Sequence, residues 1–380
     1  MKRMLVVAIG AILLLSGCSG TPMPLPTPSA TASSGTPTPE PTATDAGAPY
    51  EEPAEPAALI PPRIPASCAT LVGAELRAKV TGFGPSELTR VVHPLANGSA
   101  AKLQAGVLTC EWSGPAIGEE ASAMLSVEIM PDAAEEFAAF TRPATGSEVL
   151  GTLGAGSSIL CADYAPVRTC SAHFVASGNW ADLSYTGSIP SPSVDAVATA
   201  TEFAQAIAAG LAASGPLTAP YAAPSGFAPV WTTCSTLDDL GAFRVALSSP
   251  SLTSPEAQFT GPGTLFSQAW QRVDFKSCSW RQADLYNSPS GEIRMASVSM
   301  LPGSAWAWPS LRETSVNRGA SAVTVAGADD AILLCQTDSD CTLEALVRGS
   351  YVSVYLSLDQ GRSGADSLAV TAAEFVIARL

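Results

Sequence analysis

"CEWSGPAIGEEASAMLSVEIMP", residues 110–131, places a cysteine two positions before a tryptophan and closes on an apolar strand and a proline. The signature returns downstream as Cys278-Ser279-Trp280, and "SVEIMP" at 126–131 returns as "SVSMLP" at 297–302. Working outward, "GAGSSILC" ending at Cys161 corresponds to "GADDAILLC" ending at Cys335, and "SGNWADLSY" at 177–185 to "RGSYVSVYL" at 348–356. Each copy ends on an Ala-rich amphipathic stretch with Glu-Phe, Glu202-Phe203 and Glu374-Phe375. So many matches in one order define an internal repeat. The repeats span 66–212 and 229–380, joined by a Pro, Gly and Ala-rich linker at 213–228.

Within one copy, "CATLVGAELRAKV" has helical spacing with Ser67 as a possible N-cap and reads as one short helix. "VLTCEW", "AMLSVEIM", "SSILC", "CSAHFVA" and "WADLSY" read as strands, with Gly178-Asn179 as a tight turn before the last. "DAAEEFAAF" reads as a connecting helix and "SVDAVATATEFAQAIAAGL" as the closing one. Strands joined by short turns imply a mostly antiparallel sheet with helices on one face, so the fold class is α+β, twice over.

Nine cysteines fall at 18, 68, 110, 161, 170, 234, 278, 335 and 341. The first lies in Leu15-Ser16-Gly17-Cys18, which follows a charged start, Lys2-Arg3, and an apolar run to Leu15. That run is too short to span a bilayer. The segment 1–17 therefore reads as an export signal. The four-residue match resembles a bacterial lipobox, which implies acylation of Cys18 and cleavage before it, anchoring the mature chain to membrane lipid on the outer face of the cell membrane. Residues 19–65 hold 13 prolines among Thr, Ser and Ala. Such composition buries too little apolar surface to offset ordering entropy, so 18–65 reads as a disordered tether.

Eight cysteines remain, four per repeat, and an exported setting makes disulfides the default. Four cysteines allow three pairings. Cys161 with Cys170, and Cys335 with Cys341, sit on successive predicted strands and can face across a hairpin; that leaves Cys68 with Cys110 and Cys234 with Cys278. A four-thiolate zinc site asks for closer spacings than these.

Motifs of catalysis are sparse. Two histidines occur, His93 and His173, and the second copy has no counterpart of His173. Ser99-Ala100-Ala101-Lys102 spells S-x-x-K, so an envelope hydrolase or acyltransferase using Ser99 and Lys102 is the rival reading, without the S-D-N and K-T-G partners of that chemistry. No nucleotide-binding or zinc-protease fingerprint is present, and no cofactor is expected. Asp338-Ser339-Asp340 and Asp329-Asp330 lack the ligand order of a calcium loop. The net charge of −15 argues against nucleic acid as a partner. A solute-binding protein would cross between lobes more than once, whereas tandem copies cross once.

The lipobox, the Pro/Thr tether, the Cys-x-Trp strand, the late cysteine hairpin and the terminal Ala-rich helix together resemble actinobacterial lipoproteins of uncharacterised function. More distantly they are similar to the extracellular sensor domains of actinobacterial serine/threonine kinases. The resemblance implies a disulfide-stapled, non-enzymatic extracytoplasmic domain that binds, senses or scaffolds; two copies on one chain depart from it. Features that differ between the copies are free to carry function. That reasoning nominates Trp306, Arg312, Asp329, Asp330, Asp338 and Asp340 as a contact surface for an envelope protein or ligand.

Overall fold

In a computed structural model, residues 60–380 are described except 119–120, 140–146, 150, 190–194, 229–230, 232, 258–263, 283–291, 338 and 360–363. Cys18 and the tether to residue 59 lie outside the described residues. The first half contributes α1 (Cys68–Leu71), α2 (Ala74–Thr81), β1 (Thr89–Arg90), α3 (Asn97–Gln104), β2 (Leu108–Ile117), β3 (Ala121–Met130), α4 (Ala134–Ala139), β4 (Glu148–Val149), β5 (Ser158–Tyr164), β6 (Val167–Ala176), β7 (Asn179–Ser188) and α5 (Ala196–Ala213). The second contributes α6 (Cys234–Leu237), α7 (Ala242–Ala246), β8 (Glu256–Ala257), α8 (Leu265–Arg272), β9 (Lys276–Arg281), β10 (Ile293–Leu301), α9 (Trp308–Asn317), β11 (Ser321–Ala322), β12 (Asp330–Cys335), β13 (Asp340–Val347), β14 (Ser350–Leu358) and α10 (Ala365–Ile377).

Each half builds a seven-stranded sheet, ordered β1-β2-β3-β7-β6-β5-β4 and, read from the matching edge, β8-β9-β10-β14-β13-β12-β11. The two orders are the same strand for strand, and the described pairings are antiparallel. The chain meanders through three strands, crosses to the far edge, and meanders back so that the seventh strand lies beside the third. The return hairpins turn on Ser177-Gly178 and Arg348-Gly349, where all four residues have positive φ. A two-residue turn with both φ values positive matches the right-handed twist of the strands it joins, and glycine adopts it without a Cβ clash. The turn thus lies one residue earlier than the spacing suggests.

Alternation decides the faces. In β6, Cys170, Ala172, Phe174 and Ala176 are buried, while Thr169, Ser171, His173 and Val175 point to the other face. The inner face packs against α1, α2 and α5, the last through Phe203, Ala204, Ile207 and Leu211. By length and hydropathy α5 could cross a membrane, yet its apolar stripe is spent on this sheet. Trp112 and Trp280 are fully buried in the two cores. Above Trp112 lies the buried Arg77, 4.9 Å from the ring centroid and donating to the Val72 carbonyl at 2.8 Å. The second half answers with Asp238, whose buried carboxylate accepts from Arg244 Nε at 2.9 Å and Trp280 Nε1 at 3.1 Å.

The four disulfides pair Cys68 with Cys110, Cys161 with Cys170, Cys234 with Cys278, and Cys335 with Cys341. The close pairs are direct cross-strand partners, as the hairpin reading requires. Two expectations are corrected, for the first helix and for the single helical face. The first helix is two, because Gly73 interrupts it between α1 and α2. Ser99-x-x-Lys102 lies on α3. Helices cover both faces of the sheets: α4 and α8 pack on the outer face of the first, α9 on that of the second, and α3 and α8 pack on each other across the halves. The α8 residues Leu265 and Ala269 pack on Met130, Phe137 and Trp180 of the first half. Conversely, α3 lies against α8, and its Ala100 and Ala101 join the apolar cluster of Trp270, Phe275, Leu301 and Trp308 in the second.

The linker is tied down as well. Thr218 N–H donates to the Arg63 carbonyl at 2.8 Å, Tyr221 OH to the Gly303 carbonyl at 3.0 Å, and Ala228 N–H to the Arg348 carbonyl at 3.0 Å. Both sheets belong to one compact unit.

Candidate functional site

A cleft lies beside α3. β1 is two residues long, so the chain leaves the sheet at Val91, whose N–H still donates to the Glu111 carbonyl at 2.8 Å. Residues 91–96 then arch over β2, with Pro94 barred from a ladder hydrogen bond. At the start of α3 the Ser99 hydroxyl accepts from Ala96 N–H and donates to the Ala96 carbonyl, both at 2.9 Å. The opposite wall is α9. Trp308, Leu311 and Ser315 face the core, which turns Ser310, Glu313 and Thr314 toward the cleft at helical spacing. The cavity measures about 480 Å³, within the range of small-molecule sites, and both halves line it.

Charges around the cleft are partly committed. Arg90 donates to the carbonyls of Val91, Glu111 and Thr109 at 2.7, 2.8 and 2.9 Å, and its guanidinium lies 5.3 Å from the Trp112 ring centroid. Lys102 forms an ion pair with Glu128 and lies 5.5 Å from the Phe266 ring centroid. His93 Nε2 is 2.9 Å from Glu111 Oε2. Ser99 and Lys102 therefore both line the cleft, but the hydroxyl serves a helix cap and the ammonium serves a carboxylate. An acylating pair needs a base directed at the nucleophile. The cleft so arranged offers an apolar wall and a charged rim, suited to holding a molecule.

His173 is not part of this site. It stands on β6, three strands from β2 in the order β2-β3-β7-β6, so roughly 14 Å away at about 4.8 Å per strand. Its Nδ1 lies 2.7 Å from Asp182 Oδ1, which also accepts from Trp180 Nε1 at 2.6 Å. Burial depresses the imidazole, and the hydrogen bond and charge of Asp182 outweigh it, so its pKa is raised. Among the described residues, no group of three His, Cys, Asp or Glu side chains comes together as a metal site.

The nominated contact residues separate into three places. Trp306 lies at the joint between the halves, its Nε1 donating to Gln104 Oε1 at 3.1 Å and its ring 6.1 Å from that of Tyr221. Arg312 pairs with Asp330 at 3.1 Å, and Trp308 Nε1 donates to the same carboxylate oxygen at 3.0 Å. Asp329 accepts from Arg348 N–H at 2.7 Å, steadying the β13–β14 turn. Asp340 stands at the other end of the β12–β13 hairpin. Burial pushes its carboxyl up, but hydrogen bonds from Ser357, Thr337, Tyr355 and Ser339 prevail and hold it below the ordinary value. Asp338 lies outside the described residues.

Sequence reasoning named Ser99 and Lys102 for another chemistry and missed the cleft around them. One available signal was Thr264-x-x-Ser267, which caps α8 through a hydroxyl accepting from Ser267 N–H at 3.1 Å. The repeat would then have placed α3 at the matching position. A second recess of about 640 Å³, lined by Trp231, Leu237, Leu240 and Arg379 among others, draws on the second half alone.

The fold defines an α+β protein with two seven-stranded antiparallel sheets of one topology, each with helices and two disulfides. Four disulfides point to an oxidising, extracytoplasmic location. Neither a protein-family model nor a curated protein matches the chain.

Proposed function

We propose that this chain is a lipoprotein held at the outer face of the cell membrane through acylated Cys18, and that its two-sheet body binds an envelope ligand or partner in the cleft between the halves. On this reading it senses or scaffolds and performs no catalysis. The observation that carries the reading is the cleft itself, walled by α3 and residues 90–95 of one half and by α9 of the other. The lipobox Leu15–Cys18, the Pro/Thr tether and the likeness to actinobacterial lipoproteins and kinase sensor domains support the address. The ion pair on Lys102 and the capping role of Ser99 favour binding over acyl transfer.

Two measurements on the full chain test it. In membrane fractionation, Cys18→Ser should move the protein from the membrane to the soluble fraction; retention would remove the anchor. After incubation with an envelope small-molecule extract, native mass spectrometry should detect a bound species that Val92→Arg abolishes, since Val92 is exposed at the cleft and its exchange spares the core. Equal retention by both proteins would refute the cleft as the binding site.

A further inference from the structure

We infer that the cleft takes a cationic amphiphile, an aliphatic body carrying an amine or guanidine end. The inference rests on the binding reading and adds the chemical class of the ligand. Its apolar lining is aliphatic, built from Val91, Val92, Leu95, Leu103 and Leu108; among the described residues that line it the one aromatic ring is His93, and no Phe, Tyr or Trp side chain occurs. Planar bases and sugars are held on aromatic faces. Here the one aromatic ring, His93, is held at the rim by Glu111 at 2.9 Å, and the aliphatic wall matches a flexible or branched hydrocarbon.

The polar end follows from which charges are already occupied. Arg90 gives its guanidinium to three backbone carbonyls, and Lys102 gives its ammonium to Glu128, so an arriving anion would have to displace one of these. The carboxylates are placed differently. Glu111 on β2 contacts the largely exposed His93, and Glu313 projects from α9 on the opposite wall, exposed to solvent. A cation at the mouth meets Glu313 directly, and reaches Glu111 by taking the place of the exposed His93 ring. The chain's net charge of −15 adds a field of the same sense, drawing cations and repelling anions. A site that bridges both halves also rewards the assembled protein over either half.

Isothermal titration of the full-length protein with dodecylammonium, dodecanoate and dodecanol, each below its micelle concentration, tests the class. Dodecylammonium should bind with a stoichiometry of one and at least about tenfold more tightly than dodecanoate, with dodecanol between them. Glu313→Gln, an exposed exchange, should weaken the ammonium about tenfold and leave dodecanol unchanged at an unaltered melting temperature. Dodecanoate binding as tightly as the amine, with loss in Val92→Arg, would overturn the cationic class while supporting the binding reading. Amine binding that ignores both substitutions, or exceeds one equivalent, would mark surface adsorption and overturn the inference. Silence from all three probes would also overturn it, and the extract experiment would then decide the binding reading by itself.

Discussion

Asp238 is the sharpest test of how the second core is held. Its carboxylate is fully buried and accepts from Phe243 N–H at 2.9 Å, Arg244 Nε at 2.9 Å and Trp280 Nε1 at 3.1 Å, with Arg244 N–H more distant at 3.4 Å. Asp238→Ala takes the carboxylate from the Arg244 guanidinium, which is only about a quarter exposed and keeps just the Leu252 carbonyl at 3.2 Å, and from the indole N–H of a buried tryptophan. Removing one partner of such a pair costs about 3–5 kcal/mol. The first half reaches the same fold with Val72 at the matching position, the C-cap after a cysteine-led turn. Replacing both charges with apolar residues of similar volume is often neutral. The double variant Asp238→Val with Arg244→Met should therefore recover most of the loss. Urea unfolding with the disulfides intact, followed by tryptophan fluorescence, measures both. A cost below about 1 kcal/mol for Asp238→Ala, or a double variant no better than the single, would refute the reasoning.

Removing the Cys68–Cys110 bridge by paired Cys→Ser exchange should cost about 4 kcal/mol, and removing Cys161–Cys170 about 2.6, because the loops closed are 42 and 9 residues long; denaturation midpoints at equal slope would show the ordering. In NMR titration, Asp182→Asn should bring the His173 pKa below about 6.5, since burial then acts alone. In the parent protein that raised pKa contributes stability below about pH 6.5 that is lost as pH climbs through the folded value. Burial pushes Tyr185 up to about 12, so the folded state loses stability between roughly pH 10 and 12, and Tyr185→Phe should remove up to about 2 kcal/mol of that loss.

The sheets were readable because each rests on local pattern: alternation in "CSAHFVA", a positive-φ turn at Gly178, and cysteines that must meet across a hairpin. Duplication then let one copy check the other. What escaped was whatever depends on the fit of two distant surfaces. Asn97-Gly98 looks like a turn, and α3 gains its order from packing Ala100 and Ala101 on the other half. Trp306 stood out as an aromatic in place of a charge, and its reason lies in Gln104 and Tyr221, both far away in sequence. The cleft is the by-product of that same joint, so no local motif announces it.

The packing of α3 and α8 across the joint ties the two copies to one another. Leu265 and Ala269 pack in the cluster that buries Trp180, and Ala100 and Ala101 in the one that buries Trp270 and Tyr351, so deletion of either copy would strip an apolar face bare on the survivor. Recombination, proteolytic nicking and cloning that cut at residues 213–228 all meet the same obstacle.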